Sequence, residues 1–118
     1  MIECFIKLTL KVINQNQIGI ISDNKKNALL PVIQIKDKTP FIDNIKDILN
    51  RYDIPIGWLS LTQMQTTKED NTIFVNYTSF VPKDFLNEET LSKIYYDFNK
   101  FSTQDQMQIR EALSLHHI

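Results

Sequence analysis

The sequence predicts an α+β domain: a mixed, largely antiparallel sheet with helices covering it. Three observations carry this. Phe5, Ile6, Leu8, Leu10 and Val12 alternate with Lys7, Thr9 and Lys11, the period-two pattern of a half-buried strand. Phe41, Ile45, Ile48, Leu49 and Tyr52 recur at helical spacing directly after Thr39-Pro40. The 118 residues are 42% hydrophobic and 23% charged, with two glycines and four prolines, which fits a single folded domain over residues 1–118. A chain of this size buries about two-thirds of its unfolded surface, enough for a real core.

The first strand, Phe5–Val12, places Lys7, Thr9 and Lys11 on its polar face. Asn14-Gln15-Asn16-Gln17 reads as a turn into a short second strand, Ile18–Ile21, and residues 22–27 as a polar loop. Ala28–Ile35 is apolar and partly β-branched, as a central strand would be. Lys36-Asp37-Lys38 is a charged loop. Thr39 is a good N-cap and Pro40 suits the first helical position, opening a helix to Tyr52. Asp43, Lys46, Asp47 and Asn50 share its polar surface.

Pro55 ends that helix. The apolar segment Ile56–Met64, the polar turn Thr66–Asn71 and the strand Thr72–Val81 suggest a second hairpin. Residues 91–98 fit a helix through Leu91, Ile94, Tyr95 and Phe98, or a strand through Ile94, Tyr96 and Phe98. Ser102 caps a last helix with Met107, Ile109, Ala112 and Leu113 inward.

The net charge of −1 gives no global attraction to nucleic acid or anionic membrane, so no nucleic-acid or membrane partner is expected. No apolar run approaches the roughly 20 residues of a membrane span. Cys4 is the only cysteine, so no intrachain disulfide forms; a buried, inert thiol and a cytoplasmic or other reducing intracellular compartment are expected. His116-His117 at the end of the chain reads as a tail rather than a metal site. Glu88-Glu89 after Asn87 reads as a helix N-terminus, with catalytic carboxylates as the rarer alternative. With only Gly19 and Gly57, no phosphate-cradling glycine loop is present. No cofactor is called for.

Residues 32–54 resemble the box of the Nudix hydrolase superfamily in spacing. Aligned without gaps, Val32 stands at the first glycine and Lys38 at the first glutamate, before the frequent Thr-Pro pair at Thr39-Pro40. Lys46-Asp47 stands for Arg-Glu, Asn50-Arg51 for the Glu-Glu pair and Asp53 for the late glycine, while Ile48 and Ile54 keep apolar positions. The resemblance implies a Nudix-like α/β/α sandwich across most of the chain. In the family those glutamates hold divalent cations; Mg²⁺ needs hard oxygen ligands, and Arg51 brings a fixed positive charge instead. The resemblance therefore implies a non-catalytic module, one that docks a protein partner or a second copy of itself, or binds a nucleotide-type molecule. The candidate ligand-facing residues are Lys46 and Arg51, for a phosphate, with Trp58 and Tyr96, for a base. The alternative is a divergent metal-dependent hydrolase of nucleoside diphosphate derivatives using Asp47 with Glu69, Asp70 or Glu88.

Overall fold

In the computed structural model residues 2–115 are described. Twelve residues of alternating character form β1 (Glu3–Asn14), followed by β2 (Gln17–Ile21) and the short β3 (Val32–Gln34). Then come α1 (Phe41–Asn50), β4 (Thr62–Glu69), β5 (Thr72–Phe80), α2 (Glu88–Leu91), β6 (Ile94–Tyr95) and α3 (Thr103–Leu115). The sheet order is β4-β5-β1-β2-β6, with β3 also on β1. The β1–β5 pair is parallel and the other four pairs are antiparallel, so the sheet is mixed and largely antiparallel.

Strand β1 is the spine of this sheet. One of its edges lies along β5 from Glu3 to Lys11, and the other is shared between β3 at Phe5–Lys7 and β2 at Lys11–Asn14. The β1–β2 turn has positive φ at Gln15 and Asn16 (50° and 69°), the two-residue geometry whose twist matches the strands it joins.

Alternation along β1 sets two layers of side chains. Ile6, Leu8, Leu10 and Val12 pack with Ile45, Ile48, Leu49 and Tyr52 of the α1 segment. The opposite face meets α3: Lys7 pairs with Asp105 at 2.9 Å, and Lys11 Nζ donates to the Ala112 carbonyl at 2.8 Å. The architecture is an α/β/α sandwich.

That second helix layer corrects the half-buried reading of β1. Lys11 is fully buried and Thr9 nearly so, because α3 covers the face that the alternation assigns to solvent. Loss of hydration lowers the Lys11 pKa from 10.5 to about 8. Cys4 is half-buried rather than buried.

Other elements are shifted. The strand expected over Ala28–Ile35 shrinks to β3, since Pro31 has no N–H for a ladder. Ala28 and Leu30 instead pack beneath α3 with Ile20, Phe101 and Ile109. Thr39 is not the N-cap of α1. Pro40 holds that place without a side-chain bond, and buried Asn44 fastens the entry, donating to the Pro40 carbonyl (3.3 Å) and accepting from Lys36 N–H (3.4 Å). The helix closes by bonds from Ile54 N–H to the Leu49 carbonyl and from Asp53 N–H to the Asn50 carbonyl. Asp53 sits at φ 55°, so this closure needs a left-handed residue where the Nudix pattern places glycine.

The second hairpin uses only two turn residues, Asp70-Asn71; Thr66–Glu69 belong to β4, and Ile56–Trp58 form a 3-10 turn instead of strand. The ambiguous stretch resolves into β6 followed by a 3-10 turn over Phe98–Lys100. Glu88-Glu89 do open a helix, capped by Asn87, whose side chain accepts from Thr90 N–H at 2.8 Å. Ser102 Oγ likewise accepts from Asp105 N–H at 3.2 Å at the start of α3. Met107, expected inward, is exposed, whereas Ile109 and Ala112 are buried. The histidine pair lies outside the described residues. Among these residues no helix is long and apolar enough to cross a membrane.

Candidate functional site

The end of α1 is held by a polar cluster rather than by an acidic one. Arg51 Nη1 donates to Asp23 Oδ1 at 3.4 Å and to the Val32 carbonyl at 3.3 Å. Tyr52 Oη donates to the same Asp23 oxygen at 3.4 Å. Asp23 reaches them because β2 ends two residues earlier, at Ile21, and its loop is folded on itself by Ser22 Oγ and Asn24 Oδ1, which accept backbone N–H groups of the loop. Burial first, and the Asp23 carboxylate next, push the Tyr52 hydroxyl well above the usual tyrosine pKa.

The donor set here does not fit a divalent cation. Asn50 is neutral and exposed, and Arg51 is a permanent cation that already neutralises Asp23. Asp47, Glu69, Asp70 and Glu88 do not gather either: among the described residues no group of three His, Cys, Asp or Glu is placed to hold a metal ion.

A concave surface lies elsewhere, at the open end of the β4–β5 hairpin, where β5 runs out at Phe80. Trp58, Phe85 and Ile13 are all exposed, at 53%, 43% and 56%. The Trp58 and Phe85 rings meet with centroids 4.1 Å apart, inclined by 43°. Trp58 is presented by the 3-10 turn that follows Pro55, and Phe85 by a second such turn, Lys83–Phe85. Beside them is a cleft of about 480 Å³, with Ile13, Trp58, Ser60, Phe80, Pro82 and Lys83 in its lining. That volume is within the range of small-molecule sites, and its character is apolar with a few polar groups and one cation.

Tyr96 does not line this cleft, but a hydrogen-bond chain links it to the rim. Lys83 Nζ donates to Asn14 Oδ1 at 2.9 Å, and Asn14 Nδ2 donates to Tyr96 Oη at 2.8 Å. Tyr96 in turn lies over Gly19, where an added Cβ would meet its Cε1 at 2.9 Å. Lys46 is exposed on α1 and lines no part of the cleft; Arg51 is engaged with Asp23. Of the four sequence candidates, then, Trp58 and Tyr96 converge on one region and the two cations do not.

No family model matches this sequence, and no curated protein matches it. Solved structures do match over nearly its whole length. A MutT/Nudix family protein from Listeria innocua superposes with a TM-score of 0.72 at 10% identity, over 96% of this chain and 92% of that one. The fold is Nudix-like.

The Nudix domain of Shewanella oneidensis NrtR, complexed with ADP-ribose, matches at a TM-score of 0.62 and 13% identity, over 96% and 89% of the two chains. NrtR from the same organism complexed with a 27mer DNA matches at 0.68 and 14% identity; this chain spans 62% of it. At such identities the likeness establishes the architecture alone.

Within this Nudix-like frame, sequence reasoning missed Asp23, Lys83 and Phe85. Phe85 carried a signal: a large apolar side chain in a Pro82-Lys83-Asp84 loop is placed where only a partner, ligand or neighbouring ring could cover it. Asp23 carried none, since it reaches Arg51 across 28 residues.

Proposed function

We propose that this protein is a non-hydrolysing Nudix-like module that binds a nucleotide-type ligand in the Trp58 cleft. The observation that carries the reading is the pair of exposed aromatic rings, Trp58 and Phe85, beside a cleft with Lys83 on its rim. The exposed Trp58 indole, backed by Phe85, offers an apolar ring to a base. Lys83 supplies a point charge for a phosphate, and the Ser60 hydroxyl a partner for a sugar. The ADP-ribose held by the S. oneidensis domain supports a ligand of this class. The lack of a fitting carboxylate set at Asn50-Arg51 supports binding without hydrolysis.

Isothermal titration of ADP-ribose, with and without Mg²⁺, tests this. Saturable heat without metal, absent in Trp58→Ala, and intact ADP-ribose recovered afterwards are expected. Hydrolysis products, or binding unaffected by the Trp58 change, would sink the reading.

A second reading is favoured by the same surface: Ile13, Trp58 and Phe85 form an exposed apolar patch suited to a protein partner or a second copy. Sedimentation equilibrium of wild type against Phe85→Glu discriminates. Self-association abolished by the glutamate would favour docking, and a monomer in both would remove self-docking.

A further inference from the structure

Lys83 is the cation of the Trp58 cleft. Its backbone opens the 3-10 turn that also carries Phe85, and its carbonyl accepts from the Leu86 N–H at 3.0 Å. Its side chain is a flexible stem, and a lysine held by nothing gives up much of a phosphate contact to the ordering of that stem. Here the stem is held. Among the described residues no carboxylate is within ion-pair reach of Lys83, and its Nζ donates instead to the neutral Asn14 Oδ1 at 2.9 Å. An ammonium has three donors and no acceptor, so this bond leaves the charge unneutralised and two N–H groups for a ligand.

Because Lys83 can only donate, Asn14 turns Oδ1 toward it, and Nδ2 then faces Tyr96, donating to Oη at 2.8 Å. The far end of this chain is anchored in the sheet. Asn14 is the last residue of β1, paired with Gln17 across the β1–β2 turn. Tyr96 follows β6, and its ring lies over Gly19 of β2, with Cε1 and Cδ1 at 2.9 and 3.2 Å from where a Cβ would stand. Glycine leaves the room that this ring fills. Tyr96 is exposed at 39% but does not line the cleft, so its hydroxyl acts there only through Asn14 and Lys83.

We propose that Tyr96 is a positioning residue: through Asn14 its hydroxyl holds the Lys83 ammonium at the rim, and so sets the preference of the cleft for a nucleotide over the bare nucleoside. Tyr96 does not touch the ligand. It acts on the phosphate half alone, because Trp58 and Ser60, which face the base and the sugar, are not in the hydrogen-bond chain. The inference rests on the reading of the Trp58 cleft as a nucleotide site.

The test is Tyr96→Phe, which keeps the ring over Gly19 and removes only the hydroxyl. ADP-ribose and adenosine are titrated into the full chain and followed by the fluorescence of Trp58, its only tryptophan. Wild type, Tyr96→Phe, Lys83→Met and the double variant are compared. Tyr96→Phe should weaken ADP-ribose about threefold, the loss of one exposed hydrogen bond, and leave adenosine unchanged. In the Lys83→Met background it should cause no further loss. Equal losses for the two compounds, or a loss that persists without Lys83, would mark a structural effect and overturn the proposal. Unchanged ADP-ribose affinity in Tyr96→Phe overturns it too, while leaving the Trp58 cleft standing. A wild type that binds neither compound overturns both readings. Without ligand, ¹³C relaxation at Lys83 Cε should report a more mobile side chain in Tyr96→Phe, and unchanged mobility overturns the proposal by itself.

Discussion

The guanidinium of Arg51 meets the carboxylate of Asp23 at 3.4 Å, and the Tyr52 hydroxyl shares the same carboxylate oxygen. Residues from the end of α1 and from the loop after β2 are thereby joined, with the Val32 carbonyl as a third anchor. Two adjacent side chains make these bonds in different surroundings. Both Arg51 and Asp23 side chains are 41% exposed, so their ion pair is screened and worth at most about 1 kcal/mol. The Tyr52 ring is buried, and a hydrogen bond from a buried hydroxyl contributes about 1 kcal/mol. Arg51→Ala should therefore lower stability by less than about 1 kcal/mol, and by less still in high salt. Tyr52→Phe should cost about 1 kcal/mol with little salt dependence. Urea midpoints at low and high salt check both.

The pH dependence of stability follows from Lys11. Its folded pKa, about 8, is below its ordinary 10.5, so between these values the unfolded chain binds more protons than the folded one. Stability then rises with pH across that window, as a desolvation cost present at neutral pH is relieved. The full effect is of the order of 3 kcal/mol. The stability of wild type minus that of Lys11→Met should climb from pH 8 to 10.5; a flat difference would mean that Lys11 keeps its charge without cost. Tyr52 acts in the opposite sense: its raised pKa gives stability that is lost as pH rises above 10, so Tyr52→Phe should lack that alkaline loss.

Gly19 is fixed by close approach, not by backbone conformation. A Cβ there would overlap Ile94 Cγ2 and press on Tyr96 Cε1. Gly19→Ala should cost about 1–3 kcal/mol, the usual range for overpacking. It should also weaken the Asn14–Tyr96 bond that steadies Lys83. Thermal unfolding checks the first effect, and the ¹⁵N shift of the Asn14 side-chain amide the second.

The Trp58 cleft predicts a split between base and phosphate contacts. Trp58→Ala should abolish ADP-ribose binding, while Lys83→Met should weaken it about tenfold and flatten its salt dependence, as loss of one screened phosphate contact would. Titration at two ionic strengths measures both. An unchanged salt slope in Lys83→Met would remove Lys83 from the ligand contacts.

By itself the sequence determined the α+β class, the β1–β2 hairpin, the amphipathic α1 and the caps at Asn87 and Ser102. Each depends on residues only a few positions apart: alternation in Phe5–Val12, spacing from Phe41 to Tyr52, and a side chain bonding a backbone N–H three residues on. Trp58 and Tyr96 were open to the sequence only as candidate ligand-facing rings, with no local signal for their exposure. Only the tertiary structure decided that Lys11 is buried, because α3, about 100 residues later, covers a face that local alternation assigns to water. It also decided that the ladder between β3 and β1 spans only Val32–Gln34, that Arg51 is spent on Asp23, and that Lys83 stands beside Trp58. Burial and pairing across the chain depend on which elements come to lie against each other, and periodicity within one element holds no record of its neighbour.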